Sequence, residues 1–295
     1  MEQTATVTAA APVKKKHSNF FRVLFSRGVI VKICFGIIIF FIIIAIFAPL
    51  LATHNPNTNS LLEKLQGWSS KHWLGTDSHG RDVYSRLVWA ARTSLVASLG
   101  SSLFSAVIGI LLGTVAGYFG GFVGGFIMRV ADAFIAIPGI ILTMVLAAIM
   151  SSGMTSVIVA VGISMIPTYI RLMYSMVLQV KENDYIVAAD LVGVPRWKVM
   201  FQNLLPNVWP PAIVMFTSNL GSAILMESSL SYIGIGIVPP TATWGSMVSA
   251  GYQYIFQHTS LAILPGVCIV LVVVSFSIVG DALRDALDPR LRGKI

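Results

Sequence analysis

Four side chains of metal-binding type lie close together in the sequence: His72, Asp77, His79 and Asp82. Imidazole and carboxylate groups are the ligands that zinc and related metals use in proteins. Zinc-binding segments, however, repeat their ligands at a fixed spacing, and these histidines lie in a turn-rich stretch that has none. We therefore predict no metal site here, and we expect the acidic groups to pair with nearby arginines instead.

Three other side chains could take part in chemistry, but each lies in an apolar stretch: Cys34, Cys268 and Glu227. The cysteines have no metal-ligand spacing, so we interpret them as small buried hydrophobic residues. A carboxylate in an apolar helix is costly and usually faces protein or a water-filled path. Glu227 is therefore either a functional group within the membrane or a structural partner for a basic or hydroxyl group.

Motifs for hydrolysis are missing from the sequence. There is no Gly-x4-Gly-Lys-Ser/Thr loop, whose backbone would hold a triphosphate. There is also no Ser/His/Asp set and no pair of carboxylates on a plausible soluble scaffold. We predict no catalytic residues and no cofactor bound by this chain.

The composition is that of an integral membrane protein built from helices. Of the 295 residues, 56% are hydrophobic and 11% charged, and the mean hydropathy is +0.81. A soluble domain carries about twice this share of charged residues. The net charge of +8 could suggest a nucleic-acid partner, but the basic residues are scattered over short segments beside apolar runs. We interpret them as determinants of membrane topology and expect no nucleic-acid binding.

The hydropathy pattern predicts six transmembrane helices in an all-α fold. They cover residues 29–51, about 93–118, 127–150, 155–180, 209–230 and 261–279. A cleaved signal peptide is the alternative for the first run, which is longer than a typical signal-peptide core. The basic flanks predict that the N-terminal segment 1–28, the 181–207 loop and the tail 283–295 are cytoplasmic, and that residues 52–91 are external.

Small residues recur every fourth position in the second predicted span, at Gly109, Gly113 and Gly117. In lipid, small residues at this spacing let two helix backbones approach closely. We predict that these glycines form a helix-packing face.

The loop from 181 to 207 mixes polar and apolar residues and is longer than a simple connection requires. Asp184 is a plausible N-cap, Gly193 a stop and Pro195 a restart, which predicts a short helix, a break and a second short helix. Trp197 and Phe201 share one face of the second helix. The loop has the composition of a segment that another protein binds.

Several stretches resemble one transporter class. Ala188-Ala189-Asp190, Gly193 and Leu205-Pro206-Asn207 resemble the Glu-Ala-Ala loop of ATP-binding cassette (ABC) importer permeases, although Val187 replaces the usual Glu and Asn203 a frequent His. The run from Leu74 to Arg86, Leu-Gly-Thr-Asp-x2-Gly-Arg-Asp-x2-Ser-Arg, resembles the dipeptide, oligopeptide and nickel subfamily. The Gly-Asp-x-Leu-Arg-Asp-x-Leu-Asp-Pro-Arg ending at Arg290 is similar to the same subfamily, in its second permease subunit.

The resemblance implies a type I ABC importer permease core from about residue 90 to 282, in the bacterial inner membrane. It implies a second homologous permease chain, two cytoplasmic ATPases that bind ATP and Mg, and an extracytoplasmic binding protein. The 181–207 loop then contains the coupling helix that contacts an ATPase. The implied coupling residues are Tyr185, Ala188, Ala189, Asp190, Gly193, Arg196, Trp197, Lys198 and Phe201.

The subfamily transports peptides, nickel or nickel chelates, which leaves the cargo open. We favour di- or oligopeptides, because the spans contain no Met/His/Cys cluster that suggests metal passage. An ion-coupled secondary transporter is the alternative from another class, and it would need a repeated half or several intramembrane charges. A non-transporting scaffold protein is the third possibility. Dependence of uptake on ATP or on an ion gradient separates the first two classes.

Overall fold

The computed structural model describes residues 28–287, including every side chain in that range except that of Asp190. The predicted N-terminal segment 1–28, apart from Gly28, and the end of the predicted tail, 288–295, lie outside this range. Within it every regular element is a helix, and one isolated bridge joins Thr76 and Asp82.

The helices follow one another in this order. They are α1 (Val29–Ile46), α2 (Ala48–Leu51), a 3-10 turn (Leu61–Glu63), α3 (Val83–Phe119), α4 (Gly121–Ile135), α5 (Gly139–Ile149), α6 (Met154–Lys181), α7 (Asp184–Leu191), α8 (Arg196–Lys198), a π-helical turn (Val199–Leu204), α9 (Leu205–Ile233), α10 (Trp244–Tyr252) and α11 (Ser260–Leu287).

Five helical stretches of the described chain are long and apolar enough to cross a membrane. A sixth span results if α4 and α5 are counted as one, although they are bent by 91° at the break between them. The prediction of an all-α membrane protein with six spans is therefore confirmed, and the third span is broken into α4 and α5. Pro138 explains the break, since it disfavours helix in the residue before it and cannot donate a backbone hydrogen bond.

The helix α3 packs along α6 through small residues. A Cβ added to Gly113 would lie 2.6 Å from the carbonyl oxygen of Ile170, and one added to Gly117 would lie 2.7 Å from Val177 Cβ. A Cβ on Gly109 would collide with the Cβ of Tyr169. The two backbones approach too closely for any larger side chain at these three positions.

The helix α10 lies between α9 and α11, in a stretch that none of the six predicted spans covers. Thr243 and Ser246 form a capping box at its start, and Trp244 is fully buried against Phe41 at a ring-centroid distance of 5.4 Å. The backbone N–H of Trp244 donates to Ser94 Oγ at 3.3 Å. The helix is short and has glycine and small residues, so its stability comes from burial that hydropathy alone does not reveal.

The three residues that could have taken part in chemistry are packed in the helical core. Cys34 and Cys268 are free thiols in the cluster of apolar side chains around Trp244. Glu227 is fully buried in α9 and accepts hydrogen bonds from Ser231 Oγ at 2.8 Å and Ser228 Oγ at 3.4 Å. Its partners there are hydroxyl groups.

Candidate functional site

The 181–207 segment joins α6 to α9 through two short helices and a π-helical turn. Gly193, at φ 79°, ends the first short helix, and Pro195 caps the second. A left-handed φ is strained for any residue with a Cβ, so glycine is required by the backbone here, although space for a Cβ is open. The predicted helix–break–helix pattern describes this backbone, but the second helix does not stop at Pro206. It continues into α9, because a proline is tolerated in a first helical turn.

The inner face of this segment is packed into the membrane-spanning helices. Ile186, Val199 and Leu204 are completely buried and contact the apolar cluster that contains Met173 and Val177 of α6. Together these side chains hold the segment against α6, so a force applied to the segment is transmitted to that helix.

The start of the segment is also attached to the end of α3. Lys181 Nζ donates to the carbonyl oxygen of Tyr118 at 2.7 Å and lies 5.6 Å from the centroid of the Tyr118 ring. The segment is thus connected to both helices of the close-packed α3–α6 pair.

The outer face, by contrast, carries large apolar side chains that nothing in residues 28–287 covers. Leu191 and Val192 are each 83% exposed, Trp197 is 58% exposed and Phe201 44%. Two cations, Arg196 and Lys198, are exposed beside them. We call these six residues the exposed face of the segment. A contiguous apolar surface bordered by charges is typical of a protein–protein contact.

Most of the predicted coupling residues lie on the outside of the segment. Tyr185, Ala188 and Gly193 are exposed with the residues of the exposed face, whereas Ala189 is half-buried and contacts the inner cluster. The side chain of the ninth, Asp190, is outside the described structure.

Sequence reasoning missed Leu191 and Val192, which are the most exposed apolar residues of the segment. They could have been found, because two large apolar residues lie directly before a helix-ending glycine, where the chain turns and a helix face ends.

A second polar region, residues 53–86, covers the N-terminal end of α3, and we call it the external cap. Asp77 forms ion pairs with Arg81 at 2.7 Å and with Arg86 at 3.5 Å. Arg86 Nη1 also donates to the carbonyl oxygens of Pro56 at 2.9 Å and Pro240 at 3.3 Å. The arginines of the cap are thereby bonded within the chain itself.

Asp82 was expected to pair with an arginine, but its described contacts are different. Its Oδ2 accepts the backbone N–H of Ser85 at 2.8 Å and so caps α3, and its Oδ1 lies 2.9 Å from His72 Nδ1. Burial raises the pKa of Asp82, but the hydrogen bonds from Ser85 and His72 outweigh burial and hold it below its ordinary value. The prediction of no metal site considered His72 with His79, whereas the structure places His54 beside His72 and Asp82.

Residues 109–293 match the family described as "Binding-protein-dependent transport system inner membrane component". Residues 25–67 match the "N-terminal TM domain of oligopeptide transport permease C". The chain belongs to the binding-protein-dependent permeases.

Two relatives show how much of the chain this membership covers. The probable D,D-dipeptide transport system permease protein DdpC of Escherichia coli (strain K12) is 39% identical over 258 residues, which cover 88% of this chain and 87% of the relative. The di/tripeptide transport system permease protein DppC of Pseudomonas aeruginosa (strain UCBPP-PA14) is 36% identical over 288 residues, or 96% of this chain and 93% of the relative.

A solved structure shares the fold. A chain from the inward-facing MetNI methionine ABC transporter superposes with a TM-score of 0.56 at 21% identity, covering 68% of this chain and 96% of the other. The protein is therefore the permease subunit of an ABC importer, spans the inner membrane and is not itself an enzyme.

Proposed function

We propose that this chain pairs with a second homologous permease chain to import short peptides. Two cytoplasmic ATPase subunits bind the 181–207 segments of the two permeases, and an extracytoplasmic binding protein delivers the cargo. ATP and Mg bind to the ATPase subunits. The observation that supports this assembly is the exposed face of the 181–207 segment, an apolar and basic surface that the described part of this chain leaves uncovered.

The same segment supports a mechanism of alternating access. Closure of the ATPases pushes on the outer residues of the segment, Trp197 and Phe201 being the apolar anchors and Arg196 and Lys198 the charged contacts. Because Ile186 packs against α6 and Lys181 bonds to the end of α3, the push moves these two helices. The spans then rotate between inward-open and outward-open arrangements.

The distribution of basic residues supports the orientation. Lys181, Arg196 and Lys198 lie on the 181–207 segment, whereas residues 231–258 contain neither lysine nor arginine. Because lysine and arginine concentrate on the cytoplasmic side, the segment and both chain termini face the cytoplasm, and residues 231–258 face the other side. The external cap lies on that other side too, because Arg86 donates to the carbonyl oxygen of Pro240.

The names of the relatives support peptide cargo, since one is a D,D-dipeptide permease and another a di/tripeptide permease. The test uses the complete importer in proteoliposomes, supplied with its binding protein and with a labelled dipeptide, a tripeptide or Ni²⁺. We expect ATP-dependent uptake of a peptide that persists when ion gradients are collapsed. Uptake of Ni²⁺ alone, or uptake that needs an ion gradient and not ATP, would contradict the proposal.

We also propose that Glu227 has a structural role, because its partners are hydroxyl groups that join three helices: Ser228 and Ser231 of α9, Ser94 of α3, and Thr243 at the start of α10. In the Glu227→Gln variant the amide oxygen can still accept hydrogen bonds from these hydroxyl groups. We therefore expect peptide uptake to stay within about threefold of wild type. Loss of uptake in a fully assembled Glu227→Gln complex would show that the negative charge itself is needed.

A further inference from the structure

Two histidines and an aspartate meet in the external cap, where His54 joins His72 and Asp82 from an earlier part of the chain. His54, His72 and Asp82 each offer a ligand atom, and the three atoms lie within 4.8 Å of one another. Asp82 Oδ1 is 2.9 Å from His72 Nδ1 and 3.9 Å from His54 Nδ1. The two imidazole rings lie side by side, with centroids 4.7 Å apart.

The surroundings hold His72 and Asp82 in place. Asp82 uses its second oxygen to cap α3, so Oδ1 is left facing the two histidines. His72 is only 3% exposed, and its Nε2 has no hydrogen-bond partner. Asp82 favours the proton on Nδ1 of the neutral ring, and a buried Nε2 that then lacks both a proton and a partner is costly.

A cation bound at Nδ1 would remove this mismatch. Binding through Nδ1 fixes the proton on Nε2, and Nε2 lies 3.6 Å from Glu63 Oε2. Metal-binding histidines commonly direct their other N–H toward a carboxylate in this way. Glu63 is in turn held by an ion pair with Lys71.

We propose that His54, His72 and Asp82 bind one divalent transition-metal ion of the zinc type, with Glu63 as the carboxylate behind His72. Two imidazoles and one carboxylate suit zinc, nickel or copper better than magnesium or calcium, which prefer oxygen ligands. His54 is 35% exposed, so the ion can enter from solvent and can keep water in its fourth position. Without a metal, His54 Nδ1 is hydrogen-bonded to Thr53 Oγ1 at 3.0 Å, and this bond must break before His54 can bind the ion.

Such an ion joins three separate parts of the chain. His54 follows α2, His72 belongs to the turn-rich loop, and Asp82 is the N-cap of α3. The ion therefore fastens the cap to the first turn of α3. This site is independent of the cargo and of the ATPase contact.

Zinc binding to the complete importer tests the site. The complex is purified with a tag that contains no histidine, treated with EDTA, and equilibrated with ZnCl₂ at increasing free concentrations. Bound zinc is measured by mass spectrometry for the wild type and for single variants of this chain. Partner subunits contribute equally to all samples, so the difference between variants reports this site alone.

The matched variants are His54→Asn and His79→Asn, because His79 lies in the same cap but outside the group of three. We expect the wild type to bind one more zinc ion per chain than His54→Asn, with an affinity difference of about 100-fold or more, and His79→Asn to match the wild type. Glu63→Gln should weaken zinc binding about tenfold. Equal zinc binding by the wild type and His54→Asn overturns the proposal, and so does an equal loss in His79→Asn.

Discussion

The external cap and the 181–207 segment lie at opposite ends of α3, and they differ in the side chains that they bury. The cap buries His72, Arg81, Asp82 and Arg86, and it supplies hydrogen-bond or ion-pair partners for each of them from within the chain. The 181–207 segment buries only its inner apolar side chains and leaves Trp197 and Leu191 exposed. Both regions carry exposed apolar side chains, such as Leu62 and Trp68 on the cap, so they differ in what they bury: the cap buries charged and polar groups, and the segment buries apolar side chains.

The position of the two regions gives this difference a mechanical meaning. The helix α3 has 37 residues, so it is about 55 Å long. The cap holds its first turn through Asp82, and Lys181 holds its last turn through Tyr118. A displacement of the 181–207 segment therefore acts on one end of a helix whose other end is fixed.

The largest predicted effect follows from breaking the segment. Gly193→Pro cannot adopt φ 79°, and Ala189→Arg forces a long charged side chain toward the inner cluster. We expect both variants to insert into the membrane and to lose ATP-driven peptide uptake by about 100-fold or more. Uptake in proteoliposomes and the amount of membrane-inserted chain are the measurements.

A graded version of this change separates backbone strain from general damage. Gly193→Ala should retain part of the uptake, because a left-handed φ costs an alanine about 1 kcal/mol. Gly266→Ala in α11 is the matched control, since its Cβ meets nothing and its φ is not left-handed. Normal uptake in Gly193→Pro would refute the coupling role of the segment.

The next effect compares one exposed tryptophan in each region. Trp197 is 58% exposed on the segment, and Trp68 is 67% exposed on the cap. If the segment is a binding surface, Trp197→Ala weakens ATPase binding by about 2 kcal/mol, which is roughly 30-fold, and Trp68→Ala leaves it unchanged. Affinity of the detergent-solubilised permease pair for the ATPase subunits measures both, and equal effects would remove the distinction between the two regions.

A change within the cap should affect local stability rather than coupling. Asp82→Ala removes the cap of α3 and a partner of His72, so we expect the cap to lose about 1–3 kcal/mol of stability. Hydrogen exchange of residues 53–86 measures the loss, while ATPase affinity should stay constant.

The carboxylate of Asp82 also makes the stability of the cap depend on pH. The pKa of Asp82 is lower in the folded chain than in the unfolded chain. Its stabilising contribution is therefore complete above the ordinary aspartate pKa and is lost as the pH falls through the lowered value. Protection factors in the cap of the wild type, which correct for the intrinsic exchange rate, should fall below about pH 4, and Asp82→Ala should lack this contribution. A wild-type cap that is insensitive to acid would contradict this assignment.

The smallest predicted effect concerns the ion pair between Asp132 of α4 and Arg171 of α6. The two charges are 2.7 Å apart, but both side chains are about half exposed. An exposed pair contributes about 0.2–1 kcal/mol, so Asp132→Asn should shift thermal unfolding only slightly and leave uptake near wild type. A severe loss of uptake would show that the α4–α6 contact, and not the 181–207 segment alone, controls transport.

Much of the fold could be predicted from the sequence because lipid imposes strict rules. Long apolar runs must be helical, and glycines every fourth residue, such as Gly113, allow close helix approach. The break in the third span and the helix α10 are harder to predict. The first depends on how far Pro138 bends the chain, and the second on burial of Trp244 against residues far away in the sequence.

The two candidate sites also differ in how much of each could be predicted from the sequence. The 181–207 segment is local, so the residue types around Gly193 and Trp197 were sufficient to indicate it. The His54, His72 and Asp82 group depends on contacts between three segments; the sequence shows only His79 near His72, without a ligand spacing, and so led to the prediction of no metal site. Local chemistry can be predicted from a single stretch, but chemistry assembled by tertiary packing cannot.

Photo-crosslinking from position 197 in native membranes tests the coupling contact most directly. A photoreactive phenylalanine replaces Trp197 in the assembled importer, and the same residue at position 68 is the control. We predict that position 197 crosslinks to an ATPase subunit and that position 68 does not. Crosslinks from position 197 only to lipid or to this chain, in a fully assembled complex, would contradict the account.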